Sequence, residues 1–178
     1  HIDAAEKRPD LPEYEQDACR IMAHNWGEAT IIDLEAFIAI EEEFVWELNN
    51  GTVSGKPDFI EKTPFGSYKI TDYKTSLAMP SADELQNGRR SFQLKLYSAL
   101  VLFGKPAGEE LPLGTGINEI EARQEFPRYI SDKTGELYGR DATFHRNNLG
   151  SDFRATVEGH LKSLRLAQET GRWQAVQG

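Results

Sequence analysis

Apolar side chains recur near helical spacing at Tyr14, Ala18, Ile21 and Met22, behind a first turn rich in acids, and predict a helix from Pro12 to about Trp26. A second, short helix is expected over 31–36. From residue 37 the texture changes to β-branched and aromatic residues in three runs, 37–48, 52–62 and 67–75, separated by Asn49-Asn50-Gly51 and Pro64-Phe65-Gly66. Asn-Gly between such runs is a hairpin signal, so they predict a three-strand antiparallel meander. After Pro80, Ser81 and Glu84 have the spacing of a capping box, opening a helix that runs to about Phe103 with Phe92, Leu96, Ala99, Leu100 and Phe103 as its buried side. Gly104 and Pro106 end it. Runs 117–130 and 137–146 read as two more strands around a turn at 131–136. A last helix from about Ser151 places Phe153, Val157, Leu161, Leu164 and Ala167 on one face before Gly171. The order α-βββ-α-ββ-α is that of a mixed α/β fold, expected as one domain over 1–178 with either end open to trimming.

Composition narrows the function. Twenty-nine acidic against 20 basic residues in 178 leave a net charge of -9, too acidic for a broad nucleic-acid-coating face, so any contact with nucleic acid must be local. The apolar run around 99–103 is far too short to cross a membrane, and no membrane partner is expected. The lone cysteine, Cys19, excludes an internal disulfide framework and a self-contained thiolate metal site. It fits a reducing compartment, and a cytoplasmic, intracellular location is expected.

The sharpest chemical signal lies in the meander. If 64–66 is a three-residue loop with Gly66 in the left-handed conformation, Thr63 opposes Ser67, Glu61 meets Lys69, Ile60 meets Ile70, and Asp58 falls opposite Asp72. Opposed side chains stand roughly 4.5 to 5.5 Å apart at Cβ, where like charges destabilise. A hard divalent cation is the simplest compensation. Lys74 follows Asp72 on the same strand face. A two-residue turn at Asn50-Gly51 would match Leu48 with Val53 and Glu43 with Asp58, and a three-residue turn would bring Glu42 there instead. Pro57 cannot donate to the ladder, so the middle strand should bulge or lose pairing at Asp58. At least two of Glu41, Glu42 and Glu43 read as ordinary solvated acids.

Gly55-Lys56-Pro57-Asp58, then Ile70-Thr71-Asp72-Tyr73-Lys74-Thr75, then Gln93-Leu94-Lys95-Leu96-Tyr97 resembles the PD-(D/E)xK nuclease superfamily, in its RecB-like exonuclease branch, which includes CRISPR-adaptation and phage recombination exonucleases. The motifs span about 24–100. The resemblance implies a restriction-endonuclease-like core, a mixed central β-sheet flanked by helices. It implies that Asp58 and Asp72 are metal ligands with the Tyr73 carbonyl as a further one, that Lys74 is the catalytic lysine, and that Gln93 and Tyr97 border the site. A helical histidine often joins the metal in this branch, which makes His24 a candidate ligand beside Glu43. His145 and His160 match nothing. The activity implied is that of a Mg²⁺- or Mn²⁺-dependent deoxyribonuclease, an exonuclease in recombination, repair or phage and CRISPR DNA processing. Arg89, Arg90 and Lys95, on the helix bearing Gln93, are candidate contacts to DNA phosphates or members of a solvated charged face. DNA is the expected partner, with protein partners or a homo-oligomer left open. Some relatives carry an iron-sulfur cluster on four cysteines. With Cys19 alone, none is expected in this chain. The competing readings are a catalytically silent nuclease-fold module that binds DNA or serves as a scaffold, and a metal-binding protein that is not a nuclease.

Overall fold

A computed structural model describes residues 12–30, 33–76, 81–87 and 91–171. In chain order these form α1 (Glu13–Ala29), β1 (Phe37–Ile40), β2 (Phe44–Leu48), β3 (Gly51–Gly55), β4 (Phe59–Lys62), β5 (Tyr68–Tyr73), α2 (Ala82–Gln86), α3 (Ser91–Phe103), β6 (Lys105–Pro106), β7 (Glu119–Ile130), β8 (Leu137–His145), α4 (Arg146–Asn148), a π-helical turn (Leu149–Phe153) and α5 (Arg154–Thr170). The central sheet has the order β1-β4-β5-β7-β8, and a smaller sheet has the order β3-β2-β6. In the central sheet only β5 and β7 pair in parallel, so the sheet is mixed. That parallel pair needs a crossover, and α3 lies within it.

The expected hairpin at 64–66 forms in the register read from sequence. Thr63 and Ser67 close it, Gly66 takes φ +81°, and Ile60 pairs with Ile70 and Glu61 with Lys69. The rest of the expected meander is divided between two sheets. Run 37–48 breaks at Glu41, which adopts a left-handed φ of +48°, and run 52–62 breaks around the donorless Pro57. As a result β1, β4 and β5 stay in the central sheet while β2 and β3 turn away into the small one. The first hairpin turns at Asn49-Asn50, with Gly51 already paired to Leu48. This corrects the expected Leu48–Val53 and Glu43–Asp58 pairings: Glu41 donates its backbone N–H to the Asp58 carbonyl at 3.2 Å, while the Glu43 carbonyl accepts from Ala107 on the small-sheet side.

The long helix expected after Pro80 is two helices. The capping box of Ser81 and Glu84 opens α2, as read, but α2 ends at Gln86. Helix α3 packs on β5 and β7 and also on β2, β3 and β6, so it lies between the two sheets. It therefore buries Leu94 and the whole stretch from Ser98 to Leu102 rather than one stripe, and Phe92, expected inside, is 40% exposed. The short helix expected over 31–36 falls partly outside the described residues, and Leu34 to Ala36 form a turn. The core joins Phe44 and Trp46 of the small sheet, Ile60, Ile70, Ile120 and Phe144 of the central sheet, Phe153 of the π-helical turn and Val157 of α5. Among the described residues no helix is long and apolar enough to cross a membrane.

Candidate active site

The site grows from the end of a ladder. Strand β5 is internal, with β4 on one side and β7 on the other, but β4 pairs with it only as far as Phe59 opposite Thr71. Beyond that point the Lys74 N–H still donates to the Glu125 carbonyl on β7 at 2.7 Å, whereas the Tyr73 N–H, directed to the other side, has lost its strand. The Asp58 carboxylate takes the place of the missing strand: its Oδ2 accepts from Tyr73 N–H at 2.7 Å. Asp58 is half-buried, and its Oδ1 has no hydrogen-bond partner among the described residues.

Alternation along β5 sends Asp72 and Tyr73 to opposite faces. Tyr73 meets Trp26 of α1 edge to face, with centroids 6.3 Å apart, and burial raises its phenol pKa. Asp72 faces α3 and is only 1% exposed. Lys74 Nζ donates to its Oδ1 at 2.9 Å and lies 2.8 Å from its Oδ2, and the same ammonium donates to Gln93 Oε1 at 2.8 Å. One helical turn on, Gln93 Nε2 donates to the Tyr97 hydroxyl at 3.0 Å. Burial pushes the Asp72 carboxyl above its ordinary pKa against the pull of Lys74, and the negative charge of Asp58 pushes the same way.

Gly55 explains how the small sheet contributes to this site. A Cβ there would lie 2.9 Å from Leu100 Cδ1 and 3.3 Å from Tyr97 Cε1, so the absence of a side chain lets β3 approach α3 just before the chain turns through Lys56-Pro57 to Asp58.

Asp58, Asp72, Tyr73, Lys74, Gln93 and Tyr97 are thus joined by contacts. The remaining sequence candidates are not gathered with them. His24 is exposed on α1, and no group of three or more His, Cys, Asp and Glu side chains among the described residues is arranged to hold a metal ion, so neither His24 nor Glu43 completes a set with the two aspartates. Lys95 Nζ lies 5.9 Å from the Phe144 ring centroid. Phe144 pairs with Ile120 at the start of β7, whereas Asp72 pairs with Gln124 further along that strand. Arg89 and Arg90 lie outside the described residues. His145 stands 3.5 Å from Glu119, and His160 meets Phe92 edge to face.

Sequence reading missed Gln124, which is 4% exposed and donates from Nε2 to Asp72 Oδ2 at 3.1 Å. A signal existed: it is the polar member of the alternating set Ile120, Ala122, Gln124 and Phe126.

The side-chain donors at this strand end are hard oxygens: Asp58 Oδ1, which no described residue engages, and the Asp72 carboxylate. That set suits a small hard cation such as Mg²⁺, which takes one or two carboxylates and keeps its other positions for water and phosphate. Two protein carboxylates beside a lysine are a minimal arrangement for holding a phosphodiester and a cation together.

No curated protein matches the chain. The family model described as the PD-(D/E)XK nuclease superfamily matches residues 2–177, and with that span and this strand-end arrangement of Asp58, Asp72 and Lys74 the chain belongs to the PD-(D/E)XK nuclease superfamily.

Proposed function

We propose that this protein is a Mg²⁺- or Mn²⁺-dependent deoxyribonuclease that degrades DNA from its ends, a single nuclease domain of the RecB-like branch acting inside the cell in DNA repair, recombination or processing of phage-type DNA. The observation that carries the reading is the chain of contacts from Asp72 through the Lys74 ammonium to Gln93 and Tyr97, with Asp58 fixed one residue away by the Tyr73 amide.

Asp58, Asp72 and the Tyr73 carbonyl are the groups that would hold the cation. When bound, a divalent ion of this kind lowers the pKa of a water, orients the phosphate and offsets the charge that builds on it. Lys74 supplies the protein's own positive charge beside that phosphate. Its ammonium has three donors, enough to keep a bond to Asp72 while directing another at the attacking water or at a phosphate oxygen. Gln93 restrains the lysine through its Oε1, and Tyr97 restrains the amide, so the flexible four-carbon stem meets the reaction already oriented. The RecB-like part of the reading, and the exonuclease action that goes with it, rest on the likeness of Gln93 and Tyr97 to the Gln-x-x-x-Tyr motif of that branch.

The test is digestion of end-labelled single- and double-stranded linear DNA, with closed circles as control, in Mg²⁺ and in Mn²⁺. We expect label release from linear DNA and intact circles. Cut circles would replace the exonuclease assignment by endonuclease action, and DNA binding without cleavage under either ion would favour the silent module.

A further inference from the structure

Strand β7 runs parallel to β5 with Gln124 opposite Asp72, so both side chains leave the same face of the sheet at neighbouring positions. Its neighbours at alternate positions of β7, Ile120, Ala122 and Phe126, are buried and apolar. An amide in such a place costs stability unless it is hydrogen-bonded. Gln124 directs its Nε2 at Asp72 Oδ2, on the carboxylate that Lys74 also holds.

The two partners of Asp72 differ in what they can do. Lys74 is 27% exposed on a long flexible stem and neutralises charge. Gln124 carries no charge and is fixed on an internal strand, so it contributes direction. Its single N–H···O bond restrains rotation of the carboxylate and occupies one lone pair of Oδ2, leaving the other acceptor positions for a cation and for Lys74.

We infer that Gln124 is a positioning residue, holding the Asp72 carboxylate in the orientation in which it takes a divalent cation. The inference rests on the nuclease reading, because orientation matters only if Asp72 holds the ion. Groups that orient a metal ligand in this way are typically worth about 10- to 100-fold in metal affinity or activity.

The experiment uses Gln124→Met, which keeps the volume and removes the donor, and Gln124→Asn, which keeps the amide but shortens its reach. Mn²⁺ is titrated into each protein by calorimetry without DNA, and cleavage is followed against Mn²⁺ concentration. Both variants should bind Mn²⁺ more weakly, Gln124→Met by about 10- to 100-fold. Excess Mn²⁺ should restore cleavage, with KM for DNA unchanged. A variant that melts cooperatively yet binds Mn²⁺ like the unaltered protein overturns the inference, as does a loss of cleavage that excess Mn²⁺ leaves unrestored. If the unaltered protein cuts DNA and only these variant results fail, the nuclease reading stands without the inference. If the unaltered protein neither binds a divalent ion nor cuts DNA, both fall.

Discussion

The Lys74 ammonium holds both oxygens of the Asp72 carboxylate, at 2.9 and 2.8 Å, although that carboxylate is almost fully withdrawn from water. Removing the ammonium leaves Gln124 as the hydrogen-bond donor to a buried negative charge. Breaking a buried pair costs about 3 to 5 kcal/mol, and the partial exposure of Lys74 makes that an upper bound here. Lys74→Met should therefore melt at a lower temperature in chelator. Mg²⁺ should recover more stability in this variant than in the unaltered protein, because the ion replaces the lost positive charge. Melting curves with and without Mg²⁺ check this, and equal Mg²⁺ shifts in the two proteins would contradict it.

Gly55 ties packing to the site. Valine there would push its Cβ against Leu100 and Tyr97, and Tyr97 is the residue that restrains Gln93. Overpacking of this kind costs about 1 to 3 kcal/mol. Displacing the hydrogen-bonded chain that ends on Lys74 should slow cleavage by up to roughly 10²-fold. Gly55→Val should accordingly be folded but slow, and Gly55→Ala should lie between it and the unaltered protein. Initial rates on labelled DNA, set beside melting temperatures, decide it. A Gly55→Val protein with an unaltered rate would break the link between β3 and the lysine.

The pH dependence of stability follows from Asp72. Burial, with help from the charge of Asp58, raises its carboxyl pKa in the folded protein despite Lys74 and Gln124. A raised carboxyl binds its proton more tightly when folded than when unfolded. Its contribution to stability is therefore fully present below the ordinary carboxylate range and is lost as pH rises through the raised value. Asp72→Asn lacks this titration. In chelator, the stability of Asp72→Asn relative to the unaltered protein should climb with pH across that window and then level off. Urea unfolding of both proteins over a pH series measures it. A difference that stays flat, or falls with rising pH, would contradict the assignment.

The placement of the candidate site was legible where it depended on a local turn. The loop 64–66 and Gly66 at φ +81° determine the β4–β5 register, which ends at Phe59 and Thr71, one step short of the expected Asp58–Asp72 pairing, and Asp58 instead meets the Tyr73 amide next to Asp72. What local patterning could not carry was the division of strands between two sheets. The composition of 37–48 suits one long strand, and nothing in it announces the left-handed Glu41 that starts the break. The two asparagines before Gly51 offered more than one turn, and the one adopted moves Glu43 away from Asp58. Amphipathic reasoning also assumes one buried side, so it misplaced Phe92 on a helix that lies between two sheets. Gln124 escaped for a different reason: its partner is set by a parallel crossover, and parallel register is not written in any turn.

The central claim is that Asp58, Asp72 and Lys74 form a metal-dependent phosphodiesterase site. Its most direct test is the rate of linear DNA cleavage in Mg²⁺, with and without chelator, by the unaltered protein and by folded Asp58→Asn, Asp72→Asn and Lys74→Ala. The account predicts cleavage that chelator abolishes and that each substitution lowers by about 10²- to 10³-fold, with cooperative melting retained. Cleavage that persists in chelator, or at full rate in Asp72→Asn, would contradict it.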